Sequence, residues 1–135
     1  MSVAQRRIQL AHVLESLPSC GAVVLTGDLN TLRKIDYSEM EWTHLCARAR
    51  LNNWTPPEDG GLEILEEAGF RDCCANVASG LRTAPVGLRL YRIDYFLGGA
   101  DFFRDWIVKR AYVAEEVDCS DHYPLVLDIE RLCKL

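Results

Sequence analysis

The sequence predicts one domain, residues 1–135, of the mixed α/β class. In some stretches apolar residues recur at helical spacing. Others are short continuous runs of Val, Leu and aromatics of strand length. Gly, Pro and Asn punctuate the boundaries between the two patterns. At 135 residues, 49% hydrophobic and 26% charged, the chain has the composition of a globular domain with a moderate core.

Residues Val3 to Leu17 read as an amphipathic helix, with Leu10, Val13, Leu14 and Leu17 at helical spacing and Pro18 as its stop. Ala22 to Thr26 is a continuous apolar run, the pattern of a strand buried on both faces, and Gly27 opens a loop. Ser38 and Glu41 make a capping box. The helix they start carries Trp42, Leu45, Cys46 and Ala49 on one face. Asn52 to Gly61 is a loop, and Leu62 to Ala68 a short helix with Gly69 as C-cap. Ala75 to Gly87 reads as a surface loop with room for one edge strand. Tyr91 to Leu97 is a strand in which Ile93, Tyr95 and Leu97 face one way and Arg92, Asp94 and Phe96 the other. Gly98 and Gly99 end it. Trp106 to Ala114 and Leu125 to Ile129 supply the remaining strands.

Fifteen basic and twenty acidic residues give a net charge of −5. That balance argues against affinity built mainly on phosphate-backbone contacts. It leaves a phosphate substrate open, because bound divalent cations invert the local field. No apolar run approaches the roughly 20 residues of a membrane span, so no membrane span is expected. Met1 to Leu17 lacks the apolar core of a signal peptide. The six cysteines form no C-x-x-C pair and no zinc spacing with the three histidines. They read as free thiols in a reducing compartment, which places the protein inside the cell, in the cytoplasm.

Three segments carry chemistry. In Gly27-Asp28-Leu29-Asn30, a carboxylate and a carboxamide two residues apart end a strand, and period-2 geometry points both the same way. Together they can take a proton from water and donate to a phosphate oxygen. The same residues are also good turn chemistry. In Arg92-Ile93-Asp94-Tyr95-Phe96, Asp94 is a carboxylate in an apolar-aromatic strand and needs a partner. That partner is a basic neighbour such as Arg92, or a histidine held in one tautomer, with His122 the candidate. In Ser120-Asp121-His122-Tyr123-Pro124, Asp121 could bind a hard cation and His122 could donate to a phosphate oxygen. Ser120 could cap the turn. Arg33, Lys34 and Arg82 read first as solvated surface charges, with a phosphate-rich ligand as the other option.

In this order the three segments resemble the patterns Gly-Asp-[Phe/Leu/Met]-Asn, Arg-x-Asp-Tyr and Ser-Asp-His-x-Pro of the endonuclease/exonuclease/phosphatase superfamily, the deoxyribonuclease-like metal hydrolases. Leu65 to Asp72 is similar to that family's Leu-x-x-x-Gly-Phe-x-Asp. The resemblance implies metal-dependent phosphodiester or phosphomonoester hydrolysis. Asp28 would activate water or assist the leaving group, and Asn30 would orient nucleophile and phosphate. Asp94 would pair with His122 at the scissile phosphate. Asp121, with Asp28, would bind Mg²⁺ or Mn²⁺. The implied fold is half of a four-layered α/β sandwich: one mixed, mainly antiparallel sheet with helices on one face.

The resemblance covers only the family's C-terminal half. The family's N-terminal half ordinarily supplies an Asn and a metal-anchoring Glu, whose positions would lie before Met1. The expectation is therefore a partial phosphoesterase domain, weak in metal binding and inactive alone. It would pair with a second copy of itself or with a complementary N-terminal half. The other reading is a non-catalytic interaction module or pseudoenzyme half-domain.

Overall fold

A computed structural model describes residues 2–117 and 119–133. The chain runs α1 (Val3–Ser16), β1 (Val24–Asp28), a 3-10 turn (Lys34–Asp36), α2 (Glu39–Leu51) and α3 (Glu63–Glu67). It continues with β2 (Arg71–Asp72), β3 (Asp94–Gly98), α4 (Ala100–Asp105), β4 (Trp106–Val113) and β5 (Leu125–Arg131).

The helix ends follow from local chemistry. At α2 the Glu41 N–H donates to Ser38 Oγ at 3.2 Å, and the Ser38 N–H donates to Glu41 Oε2 at 2.7 Å. This closes the capping box and satisfies two donors left open by the first turn. Ser2 and Gln5 repeat the arrangement at α1. At the end of α3, the Phe70 N–H donates to the Leu65 carbonyl and the Gly69 N–H to that of Glu66, both at 2.9 Å. Gly69 takes φ +88° there, the left-handed conformation of a Schellman cap.

The strands form two antiparallel sheets, ordered β1-β3-β2 and β4-β5. The α/β class holds, but the single mixed sheet is replaced by two antiparallel ones. β3 takes β1 and β2 as its neighbours, and β4 pairs with β5 instead of joining them.

Side-chain alternation on β3 builds a core on each face. Tyr95 and Leu97 pack with Leu10 of α1, Leu62, Leu65 and Phe70, and Val23, Leu25 and Leu29 close around them. Fully burying aliphatic side chains such as Leu65 and Leu97 contributes about 1.5–3 kcal/mol each. Phe96, on the opposite face, packs with Leu81, Ala111, Val113, Leu125 and Leu127. The second sheet therefore covers the face that α1 and α3 leave. The broad bare sheet face expected of half a sandwich is reduced to scattered residues. Ile107, Ile129 and Leu132 are exposed at one end of β4-β5, and Ile35, Met40 and Leu51 near α2.

Two further expectations are corrected. The strand expected from Tyr91 begins only at Asp94, because Tyr91 is engaged in a tight bridge with Ala84. The stretch from Ala75 to Gly87 contains no strand beyond that bridge, and its Leu81, Thr83 and Ala84 are buried.

Candidate active site

The site starts from strand register. Asp28, the last residue of β1, stands directly opposite Asp94, the first of β3. The next rung, Leu29 N–H to the Ile93 carbonyl at 2.8 Å, makes Asp28 and Asp94 a non-hydrogen-bonded pair. Such pairs bring Cα atoms to about 4.5 Å and put both side chains on one face. Two carboxylates thus share the end of one ladder.

Asp94 is held from two directions. His122 Nδ1 lies 2.9 Å from Asp94 Oδ2, and the Thr83 hydroxyl donates to the same oxygen at 2.5 Å. Thr83 is fully buried. An imidazole donating through Nδ1 to a carboxylate leaves Nε2 for a ligand. The turn carrying His122 is fixed to the segment carrying Thr83. The Tyr123 N–H donates to the Thr83 carbonyl at 2.8 Å, and the Val86 N–H to that of Asp121 at 2.9 Å. Ser120 does cap this turn: its Oγ accepts from the His122 N–H at 3.2 Å. Thr83 was invisible as a site residue in the sequence, where it sits in an aperiodic stretch.

The alternative partner for Asp94 is excluded by where Arg92 goes. Its guanidinium donates to Asp36 Oδ1 at 2.8 Å and to Asp72 Oδ2 at 2.7 Å. It also lies 4.7 Å from the centre of the Tyr95 ring. Arg92 precedes β3, so it escapes the alternation that would have placed it beside Asp94.

Arg33 completes this second cluster. It grips Asp36 with two hydrogen bonds, at 3.1 and 3.0 Å, and reaches Asp72 at 2.7 Å. Burial opposes the charge on Arg33 and on Arg92, but the two aspartates outweigh it and hold both guanidinium groups more firmly protonated than usual. Arg82 stacks 4.0 Å from the Tyr37 ring centre and donates to the Asp36 carbonyl at 2.8 Å. Arg33 and Arg82 are therefore structural, with side chains only 15% and 11% exposed. Lys34 does remain at the surface, paired with Glu39 at 2.9 Å. The one sequence hint of the cluster is the three-residue spacing of Arg33 and Asp36.

Asn30 separates from Asp28. Its N–H donates to Asp28 Oδ1 at 2.6 Å, and its φ of +47° is left-handed, a conformation Asn tolerates. The segment is thus an Asx turn. The alternation expected to point Asp28 and Asn30 the same way stops where β1 stops. Asn30 instead lines a cavity on the helix side of the sheet, with Arg6, Thr31, Tyr91 and Ile93.

Asp121 is exposed in the turn and accepts from the Ser120 hydroxyl at 3.3 Å. Among the described residues no group of three His, Cys, Asp or Glu side chains converges closely enough to hold a metal ion. The donor set of Asp28 and Asp121 therefore does not make a metal cage. Mg²⁺ held by so few carboxylates depends on water and substrate oxygens for the rest of its shell.

Comparison with protein-family models yields no match, and comparison with curated proteins yields none. Among the described residues no helix is long and apolar enough to cross a membrane.

Proposed function

We propose that this chain carries the proton-transfer and phosphate-contacting side of a phosphoesterase site. The observation that carries the reading is the Asp94–His122 pair at 2.9 Å, directly across the ladder from Asp28. Asp94 orients the imidazole and stabilises its protonated form. His122 Nε2 then donates to a phosphoryl oxygen as charge builds there. Asp28, exposed at the strand end, takes the proton of the attacking water. Thr83 fixes the Asp94 oxygen that His122 uses. A divalent cation would add stabilisation of phosphoryl charge. The residues described here do not make a set that would anchor it, so no step is assigned to it. The chain by itself is accordingly a partial site, inactive or nearly so.

Two measurements test this. In NMR spectra, inorganic phosphate is expected to shift the His122 ring protons, and Asp94→Ala to weaken that response. Phosphate that moves His12 and His44 but leaves His122 unmoved contradicts the reading. With bis(4-nitrophenyl) phosphate and Mg²⁺ or Mn²⁺, little or no turnover is expected. Robust turnover abolished by His122→Ala would show that the chain is sufficient by itself.

The alternative is a half-domain kept as a binding surface. It is favoured by the lack of a three-donor metal group among the described residues. Phosphate binding at His122 distinguishes the two, because a surface without a working site has no reason to respond there.

A further inference from the structure

β1 forms one rim of the three-stranded sheet. Its odd-numbered residues bond to β3, so the N–H and C=O groups of Val24, Thr26 and Asp28 point away from the sheet. Thr26, Gly27 and Asp28 are all exposed. Among the described residues no backbone partner stands on that side.

Sheets in soluble proteins blunt such rims with charges, Pro, a bulge or brevity. The other rims here are blunted. β2 is two residues long. β4 carries Lys109 at an irregularity between Val108 and Arg110, and β5 carries Asp128, Glu130 and Arg131. β1 spans five residues, Val-Leu-Thr-Gly-Asp, with an unbroken register and neither Lys nor Pro. Its single charge stands at the last position.

The rim is complementary to itself. Two antiparallel copies related by a twofold axis at Thr26 pair Val24 of each with Asp28 of the other. All three outward residues then close their rungs through both N–H and C=O. Thr26 meets Thr26, a favourable cross-strand pair. The two Asp28 carboxylates go to opposite ends, each beside an uncharged valine. Leu25 stands opposite Gly27, where a side chain would meet nothing within 4 Å. The largest side chain of the strand thus faces the residue that has none.

We propose that the chain associates with a second copy through β1, joining the two three-stranded sheets into one continuous antiparallel sheet. The contact is isologous, each copy offering the same five residues. So short a contact makes a weak, reversible dimer in the micromolar range. The proposal does not depend on the phosphoesterase reading.

The test is sedimentation equilibrium of the full chain from about 1 µM to about 1 mM, where a monomer–dimer equilibrium is expected. Thr26→Pro removes an outward N–H that β3 does not use, at the kind of position where an edge strand accepts Pro. It should weaken dimerisation at least about tenfold and leave the circular dichroism spectrum unchanged. Thr26→Lys and Thr26→Glu each set like charges against each other across the axis, so each alone should stay monomeric. Mixed, the two should form a heterodimer, because opposite charges then meet at the same rung. Exchange of the Val24, Thr26 and Asp28 amides should slow as protein concentration rises. A monomer throughout, with those amides indifferent to concentration, overturns the proposal and leaves the rim to a strand of another protein. A dimer that survives Thr26→Pro and shows no preference for the mixed pair overturns the assignment to β1.

Discussion

Asp28 and Asp94 face each other across the last rung shared by β1 and β3, two carboxylates with side chains on one side of the ladder. Like charges directly opposite in a sheet are destabilising. Asp28→Asn keeps an oxygen to accept from the Asn30 N–H and removes the charge. It is expected to raise stability by a few tenths of a kcal/mol, read as a higher urea midpoint. A residue that stabilises the fold when neutralised is retained for chemistry rather than for packing. A lower midpoint in Asp28→Asn would count against that interpretation.

Arg92 and Asp94 are neighbours in sequence with separate duties. Arg92→Ala leaves Asp36 and Asp72 buried without one of their two guanidinium partners. Breaking such a buried pair costs about 3–5 kcal/mol. Lys cannot reproduce the two-armed grip on two carboxylates, so Arg92→Lys should recover only part of the loss. Asp94→Asn is expected to lower the thermal midpoint far less while disturbing His122. Similar losses from Arg92→Ala and Asp94→Asn would show that the two clusters act as one.

Gly98 is required by close approach. A Cβ there would sit 2.6 Å from Phe102 Cδ1, 2.9 Å from Phe103 Cε2 and 3.1 Å from Cys73 Sγ. Phe102 is buried and has no room to retreat. Gly98→Ala should therefore cost about 1–3 kcal/mol by overpacking. Chemical denaturation measures it, and a change under half a kcal/mol would mean that α4 shifts freely.

Stability should fall in alkali. Burial, then the neighbouring Cys74 and Asp72, push the Cys73 thiol from 9.0 up to about 12. Burial and Asp72 push that of Cys74 from 9.0 up to about 11. Burial raises the Tyr95 phenol as well. Each group keeps its proton in the folded chain at a pH where the unfolded chain has lost it. The stabilisation is complete below about pH 9 and is lost as pH climbs through the raised values. The urea midpoint should be level from about pH 7 to about pH 8 and decline above about pH 9. In the double variant Cys73→Ala with Cys74→Ala the decline should be shallower. An identical slope in that variant would assign the alkaline loss to other groups.

Local signals in the sequence were enough for the capped ends of α2 and α3, because Ser38, Glu41 and Gly69 act within a turn of themselves. That Asp94 needs a partner was also legible, since an acidic residue in an apolar strand must find one, but the strand pattern left Arg92 and His122 both open. What could not be read depends on distance. Thr83 meets Asp94 only because the aperiodic stretch before β3 folds back on it. The cluster of Arg33, Asp36, Asp72 and Arg92 draws on three separate segments, each ordinary alone. β2 is two residues long and α4 six, too short for a period to show. The division into two sheets depends on which strands meet in space, which no single strand records.

That division has a consequence for exchange of backbone amide hydrogens. β3 pairs with β1 along its whole length and with β2 at Leu97 and Gly98, whereas β1 has one neighbour among the described residues. Its odd-numbered residues bond to β3, leaving the amides of Val24, Thr26 and Asp28 on the open side. The Tyr95 and Leu97 amides, which face β1, should exchange with solvent deuterium at the slow limit set by global unfolding, and those three far faster. Of the two facing carboxylates, Asp94 thus sits on the inner strand of the sheet and Asp28 on its open rim.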